Sequence, residues 1–338
     1  MNHLGLKNKK IGWIEISSKR YGGVIHRRYM REALSKEFDL ELINLEAKHF
    51  KRFRYLKIPE SFVYLLRLKG EKDLWVRNFF ATITMPFDRT KGKNLVLVHH
   101  HDFSGFPLIA KPFLNFMNKA FFFRNLKKAD AIAVISDYWK DYFLKKGYSN
   151  VYRVFNGFDL SKYNISDEEV IEFKKKYKLE GKPIIYLGNC QRGKGVVDSC
   201  QALRDIDAHL ITSGKRHVRI PALNLDLSYR DYLKLLKASL IVLTMSKFKE
   251  GWCRTAHEAM LLKTPVIGSG SGGMEELLRG GRQIVCKDSN LLKEKVEYLL
   301  NHDEIRKKIG QSGFDYAKDF TLARLEKSWL DLMNKVLC

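Results

Sequence analysis

The chain has 338 residues, of which 45% are hydrophobic and 29% are charged, and its formal net charge is +23. This length and composition exclude a disordered or fibrous protein and predict two globular domains. The five scattered cysteines exclude a disulfide scaffold or zinc framework and favour a reducing cytosol, and the sequence has neither a signal-peptide core nor an apolar run of about 20 residues that could span a membrane.

The first half alternates apolar runs with amphipathic stretches. Residues 11–16 predict a strand, which a glycine turn and an amphipathic helix to about Lys36 follow. The later strands of this half are predicted at 39–45, 94–100 and 129–136, and residues 151–157 close the half.

The second half repeats this rhythm, with a helix after each strand. Its strands are predicted at 183–188, 208–214, 240–246 and 265–269. Strands that alternate with helices imply a parallel sheet covered on both faces, with ligands at the carboxyl ends of its strands. We therefore expect an α/β protein of two doubly wound domains, 1–157 and 158–319, and a C-terminal helix at 320–338.

Two glutamates stand eight positions apart in the stretch EGWCRTAHEAMLLKTPV. Glu250 lies in the loop after a predicted strand, and Glu258 lies one turn into a helix that starts near Arg254. Carboxylates accept hydrogen bonds from paired hydroxyl groups, and a helix N-terminus binds anions. This spacing suits a ligand with a hydroxyl-bearing ring at each end of a diphosphate, which describes a nucleotide-sugar.

The same stretch resembles the E-x(7)-E signature of retaining glycosyltransferases with the GT-B fold, most closely glycosyltransferase family 4. The resemblance implies two Rossmann-like domains that face each other across a cleft, with the C-terminal helix crossing back to the first domain. It also implies that Glu250 contacts the donor sugar and Glu258 the ribose. The other donor-site residues it implies here are Gly251, Trp252, Cys253, Arg254 and Thr255.

The segment GNCQRGKGVVDSCQAL, residues 188–203, resembles a second element of the family. Lys194 matches the lysine that binds the donor diphosphate. The family's arginine falls on Asn189, and Arg192 is close enough in sequence to replace it, although a guanidinium is not placed by sequence proximity alone.

Two segments of the first half carry weaker matches. Gly22 and Gly23 resemble the glycine loop that lets the backbone approach the donor phosphates. The run of histidines at 99–101 resembles an H-x-H element at the end of a strand, where a family histidine lies beside the reacting sugar. We expect His101 to face the cleft.

The resemblance implies a metal-independent transfer of a hexose or related sugar from a UDP-, GDP- or other nucleotide-diphosphate donor to a hydroxyl acceptor. No cofactor or metal site is expected. Asp205 and Asp207 spell D-x-D, but they precede a strand rather than follow one, so a surface turn is expected there.

The basic excess is concentrated in residues 1–157, which carry +16 of the +23. Cations alternate with aromatic residues at 48–57 and 111–128, where an ordinary core helix with a basic outer face, a nucleic-acid surface and a membrane surface are the competing interpretations. Family acceptors are often lipid-linked or glycans. We therefore expect a cytoplasmic protein attached to the inner face of an anionic membrane rather than to nucleic acid.

Two other functions stay open at this point. One is a non-catalytic nucleic-acid- or membrane-binding protein on a decayed transferase scaffold, which Asn189 and the net charge favour. The other is a nucleotide-sugar epimerase of the same fold.

Overall fold

The computed structural model describes residues 8–16, 22–49, 57–104 and 111–338. The chain forms two compact units, unit 1 (Met1–Gly157 with Leu322–Cys338) and unit 2 (Phe158–Thr321). Within the described ranges, no helix has the length and apolarity that crossing a bilayer requires.

Unit 1 contains a six-stranded sheet in which every pairing is parallel, in the order β2-β1-β3-β4-β5-β6. The strands are β1 (Lys10–Glu15), β2 (Asp39–Asn44), β3 (Lys69–Arg77), β4 (Arg89–Val98), β5 (Ala131–Val134) and β6 (Val151–Arg153). The helices are α1 (Gly22–Leu34), α2 (Lys57–Leu66), α3 (Phe79–Thr84), α4 (Lys111–Met117), α5 (Phe123–Leu126) and α6 (Asp137–Leu144), with a π-helical turn at Asn118–Phe122.

Unit 2 contains a second parallel sheet, in the order β12-β11-β10-β7-β8-β9. Its strands are β7 (Ile184–Asn189), β8 (His209–Ser213), β9 (Leu223–Leu225), β10 (Ile241–Thr244), β11 (Val266–Gly268) and β12 (Ile284–Val285). Its helices are α7 (Asp167–Tyr177), α8 (Val196–Ala202), α9 (Tyr229–Ala238), α10 (Arg254–Leu261), α11 (Met274–Gly280), α12 (Leu292–Asn301) and α13 (Asp303–Ala317). Short 3-10 turns lie at Leu160–Tyr163, Arg192–Lys194 and Ser289–Leu291.

The last helix, α14 (Leu322–Leu337), belongs to unit 1 and packs on α1. Trp329 is fully buried, with its ring centroid 6.0 Å from that of Trp13 in β1. Close to the helix, a Cβ on Gly157 would lie 2.7 Å from the Cβ of Leu325, so only a glycine lets the chain pass here. The amphipathic face of α14 is thus buried against unit 1.

The structure contains elements that the apolar pattern did not predict. The main one is β3, which lies between β1 and β4 in the sheet. Its first five residues, KGEKD, are mostly charged and exposed or half-buried, and only its last four are fully buried. Because the strand leaves the core at one end, neither an alternating nor a continuous apolar pattern marks it.

Candidate functional site

The candidate site of unit 2 is built at one edge of its sheet. Strands β11, β10 and β7 are neighbours and parallel, so the segments that follow them emerge at the same edge. The 3-10 turn with Lys194 follows β7, the loop with Glu250 follows β10, and the loop 269–273 follows β11. The two glutamates and Lys194 therefore come from segments that the sheet brings together.

Glu250 is held by both its side chain and its backbone. Its Oε1 accepts hydrogen bonds from Lys194 Nζ and from Ser246 Oγ, both at 2.6 Å. Its backbone N–H donates to Ser271 O at 3.0 Å, and its carbonyl accepts from Gly273 N at 2.8 Å. Glu250 is only 8% exposed, so its carboxylate is fixed before any ligand arrives.

The glycine after Ser271 makes this arrangement possible. Gly272 has φ +71°, a conformation that side chains rarely adopt, and a Cβ there would lie 2.4 Å from Glu250 O. Gly272 therefore lets the chain run beside Glu250.

Lys194 is partly exposed, at 29% of its side chain. Burial is the largest single influence on the Lys194 pKa and lowers it, but the other influences, led by the charge of Glu250, together make the net shift upward. The ammonium also lies 4.8 Å from the centroid of the Phe248 ring. Lys194 is thus a charged donor that remains accessible at the sheet edge.

Glu258 has a separate set of donors. Its Oε1 accepts from Tyr229 Oη at 3.0 Å and from Arg254 Nη2 at 3.1 Å, and its Oε2 accepts from Tyr232 Oη at 3.2 Å. Burial, and then the charge of Glu258, raise the pKa of both tyrosines, so their hydroxyls stay protonated as donors. The carboxylate is 4% exposed, whereas Tyr229 is 37% exposed.

Arg254 is the first residue of α10, and its side chain is 11% exposed. Its guanidinium lies 4.3 Å from the centroid of the Phe158 ring. Burial lowers the pKa of Arg254, but the Glu258 carboxylate raises it, and the net shift is upward. Thr255 Oγ1 lies within hydrogen-bonding distance of Tyr232 Oη, at 3.2 Å, so both residues at the helix start help to position the tyrosines and Glu258.

The side chains of Trp252 and Cys253, which the resemblance placed along the donor, lie in the core. Trp252 is 5% exposed, and its Nε1 donates to His257 Nδ1 at 3.2 Å. Burial, and then the charge of Glu250, raise the pKa of the Cys253 thiol to about 12. Both side chains are therefore packed inside the protein, and the third loop residue of this set, Gly251, is also buried, so a donor contact by these three residues stays a prediction.

Asn189 and Arg192 lie shortly before Lys194 in the sequence, and their surroundings in the structure differ. Asn189 ends β7, and its Oδ1 accepts from Tyr186 Oη at 3.3 Å and from Ser213 Oγ at 3.2 Å. Arg192 opens the 3-10 turn that carries Lys194, and it is exposed.

In unit 1 the structure shows the surroundings of His101. His101 is 8% exposed, and its ring stacks on Phe122 with centroids 4.8 Å apart. Burial lowers the pKa of His101 to about 4. An aromatic cluster thus encloses the ring, and the expected cleft-facing role of His101 stays a prediction; the other aromatic residues near it are Phe79, Phe103, Phe123, Tyr142 and Phe143.

The predicted glycine loop of unit 1 is a helix start. Gly22 and Gly23 are the first two residues of α1. Arg20 and Tyr21, which precede them, lie outside the described residues.

Sequence reasoning missed Tyr229, Tyr232 and Ser246. The two tyrosines stand at i and i+3 in α9, a spacing that reads as an ordinary buried helix face. Nothing local in the sequence couples that face to Glu258, so the link is purely tertiary.

No group of three or more His, Cys, Asp or Glu side chains placed to hold a metal ion occurs in the part of the chain that the structure describes. Asp207 pairs with Lys182, and Asp205 with Arg204 at 3.5 Å and Lys293 at 3.7 Å. Both aspartates are exposed, which agrees with the expected surface turn.

Residues 167–315 match the family model described as "Glycosyl transferases group 1". The matched residues lie within unit 2. The match includes Lys194, Glu250 and Glu258, so the residues that the geometry brings together lie inside the region that the family model covers.

Curated relatives match parts of the chain. The trehalose synthase of Pyrococcus horikoshii is 34% identical over 102 residues, which is 30% of this chain and 24% of that protein. The Campylobacter jejuni protein named "GalNAc-alpha-(1->4)-GalNAc-alpha-(1->3)-diNAcBac-PP-undecaprenol alpha-1,4-N-acetyl-D-galactosaminyltransferase" is 23% identical over 196 residues, which is 52% of this chain and 54% of that protein. The chain thus covers from about a quarter to about half of these relatives' lengths.

A solved structure covers both units. Anabaena Alr3699/HepE in complex with UDP and glucose matches with a TM-score of 0.72 at 14% identity, over 97% of this chain and 100% of that chain. At this identity the likeness shows the fold alone. The predicted GT-B fold, with two Rossmann-like units, is confirmed.

Proposed function

We propose that the protein is a retaining glycosyltransferase that moves a sugar from a nucleotide-diphosphate sugar to a hydroxyl acceptor. The observation that carries this proposal is the Lys194–Glu250 pair, at 2.6 Å, at the carboxyl edge of a family-matched sheet. A fixed carboxylate beside an accessible ammonium suits a ligand with sugar hydroxyls and a diphosphate. The complex of Alr3699/HepE with UDP and glucose supports this donor class.

In this proposal Lys194 stabilises the charge that develops on the departing diphosphate, because a preorganised cation needs no rearrangement at the moment of reaction. Glu250 holds the donor hydroxyls and orients the anomeric carbon. Arg192, exposed on the same turn, is the proposed second phosphate donor in place of the family arginine at Asn189. The transfer is proposed to need no metal, and activity should survive EDTA.

The ribose contact is proposed for Glu258 together with Tyr229. The carboxylate is 4% exposed and already bonded to two tyrosines, whereas Tyr229 is 37% exposed and bonded directly to it. The two ribose hydroxyls would therefore hydrogen-bond to the Tyr229 hydroxyl and to one edge of the Glu258 carboxylate.

The test is donor binding followed by product analysis. Thermal shift with UDP, GDP, ADP, dTDP and CMP should identify one base, since a ligand at 100 times its Kd adds about 2.7 kcal/mol. Proton NMR of the transfer product should show the donor's anomeric configuration. Glu250→Gln should abolish transfer, while Glu294→Gln, on the exposed face of α12, should not. Sugar conversion without acceptor would instead indicate an epimerase, and nucleic-acid binding without donor binding would indicate a decayed scaffold.

The acceptor is proposed to be lipid-linked and met at an anionic membrane on the cytoplasmic side. The support is an exposed aromatic surface on α4, where Phe113 is 61% and Phe116 is 60% exposed. Phe121 joins this surface to Phe87, which is 57% exposed. Exposed cations flank it, namely Lys119, Arg124, Lys127 and Lys128. Aromatic rings beside cations suit an anionic interface.

Sedimentation with anionic vesicles tests this surface. Phe113→Ser with Phe116→Ser should release the protein, whereas Ile171→Ser, an exposed apolar residue of unit 2, should not. Equal sedimentation of the three proteins would refute the membrane surface. The basic residues Lys51, Arg52 and Arg54 of the segment 48–57 lie outside the described residues.

A further inference from the structure

A basic groove lies on unit 2, at the end of α11 and beside β12 and α12. Its volume is about 720 Å³, within the range of about 300–1,000 Å³ that is usual for small-molecule sites. Its walls carry four cations, Arg279, Arg282, Lys287 and Lys295. Neither Lys194 nor either motif glutamate lines it, so it is a different site from the one described above.

Two of the four cations form ion pairs within the protein, and two do not. Glu275 accepts from Arg279 at 2.8 Å and lies 3.1 Å from Lys287. Arg282 and Lys295 have no ion-pair partner among residues 8–16, 22–49, 57–104 and 111–338. The groove therefore keeps a positive charge that the fold itself does not neutralise.

Arg282 stands where a glycine would be usual. Gln283 N donates to Leu278 O at 2.7 Å, and Arg282 N donates to Arg279 O at 3.1 Å, which together form the Schellman motif that ends α11. Arg282 takes the left-handed position of that motif, with φ 52°, which glycine normally fills. The backbone conformation at this position therefore does not require the Arg282 side chain.

The groove also has an apolar wall and one carboxylate. Val285 is half-buried and Leu291 is 45% exposed, and both face the groove. Asp288 is the carboxylate, and its Oδ1 accepts from Asn290 N at 2.9 Å as a helix cap. We propose that this groove binds a phosphorylated small molecule with an apolar face, the phosphate meeting Arg282 and Lys295 and the apolar part covering Val285 and Leu291.

Calorimetry with phenyl phosphate tests the site, in a Lys194→Ala background so that the donor site does not contribute. Phenyl phosphate should bind more tightly than inorganic phosphate, and phenol alone should not bind. Arg282→Gly with Lys295→Ala should weaken phenyl phosphate binding by about tenfold or more, because two charge-assisted contacts are lost. Arg282→Gly favours the left-handed backbone, so the variant should keep the parent's melting temperature.

The matched control is Lys175→Ala with Lys308→Ala, which removes the same charge from exposed positions of unit 2 outside the groove. Equal weakening in this control, or no weakening in the groove variant, would overturn the proposal. Anionic vesicles distinguish a lipid headgroup from a free phosphate ester. Vesicle binding that the groove variant loses would also overturn it, because the ligand would then be a membrane. Nucleotide binding to the wild type is measured separately, so failure here leaves the transferase proposal standing.

Discussion

The carboxylate of Glu250 is bonded to a partly exposed lysine and to a serine, whereas that of Glu258, eight positions later, is bonded to two tyrosines and a buried arginine. Glu250 also has backbone bonds to a neighbouring loop, whereas Glu258 sits in the first turns of α10. The first environment leaves a cation accessible to a ligand. The second encloses its charges, so removing one member leaves the others buried without compensation.

The largest expected effect is on the stability of the Glu258 region. Glu258→Gln leaves Arg254 as a buried cation without its carboxylate, which should lower the free energy of unfolding by about 3–5 kcal/mol. Urea denaturation measures this loss, and Glu294→Gln on an exposed helix face is the control. A loss no greater than that caused by Glu250→Gln would show that the two environments do not differ in the way described.

Substitution of Lys194 should affect turnover more than stability. Lys194→Ala should lower turnover by about 100- to 1,000-fold, since a preorganised charge that stabilises a leaving group is worth about this much. The free energy of unfolding should fall less than in Glu258→Gln, because the Lys194 side chain is 29% exposed. Steady-state kinetics with a nucleotide-sugar donor gives the result, and Lys308→Ala should match the wild type. A variant that loses stability but keeps its turnover would assign Lys194 a structural role.

A pH titration tests how far the enclosed environment extends along α10. His257 precedes Glu258, is fully buried, and donates from Nε2 to Ala317 O at 3.1 Å while Nδ1 accepts from Trp252. Burial lowers its pKa from 6.5 to about 3. The neutral ring is therefore favoured in the folded state, and its contribution to stability is complete above pH 6.5.

As the pH falls from 6.5 toward 3, the His257 ring binds a proton in the unfolded chain but not in the folded chain. The free energy of unfolding should therefore fall by about 1.4 kcal/mol per pH unit for this group. His99, whose pKa burial lowers to about 3, adds to the same slope from unit 1. Denaturation midpoints at several pH values measure it, and His257→Phe should show a shallower slope. An unchanged slope in that variant would place the titration elsewhere.

The smallest expected effect belongs to Tyr229. Tyr229→Phe removes one hydrogen bond to Glu258 but keeps the ring, so the free energy of unfolding should fall by about 1 kcal/mol. If the hydroxyl also meets the ribose, nucleotide affinity should fall with it. Isothermal titration with the preferred nucleotide measures this, and Tyr298→Phe, an exposed tyrosine of α12, is the control. Unchanged affinity would restrict Tyr229 to supporting Glu258.

Several features of the fold could be predicted from the sequence because the physics behind them is local. Buried parallel strands read as continuous apolar runs, so β7 and β10 were found near their true bounds. Strand β3 was missed because its first half is charged and lies outside the core. The start of α10 at Arg254 was also predictable, since a glycine-containing loop precedes an amphipathic pattern.

The sequence by itself determined which residues could act: two carboxylates at a set spacing and one lysine after a strand. These follow from chain order and from the edge at which parallel strands end. Only the tertiary structure decided which of them share surroundings. It joined Lys194 and Ser246 to Glu250, and it turned Trp252 and His101 inward.

The physical reason is that hydrogen bonds and burial are set by neighbours far along the chain. Tyr229 and Tyr232 reach Glu258 across 29 and 26 positions, and Lys194 reaches Glu250 across 56. No periodicity within one helix or strand records such a contact, because it depends on how two elements pack against a common sheet.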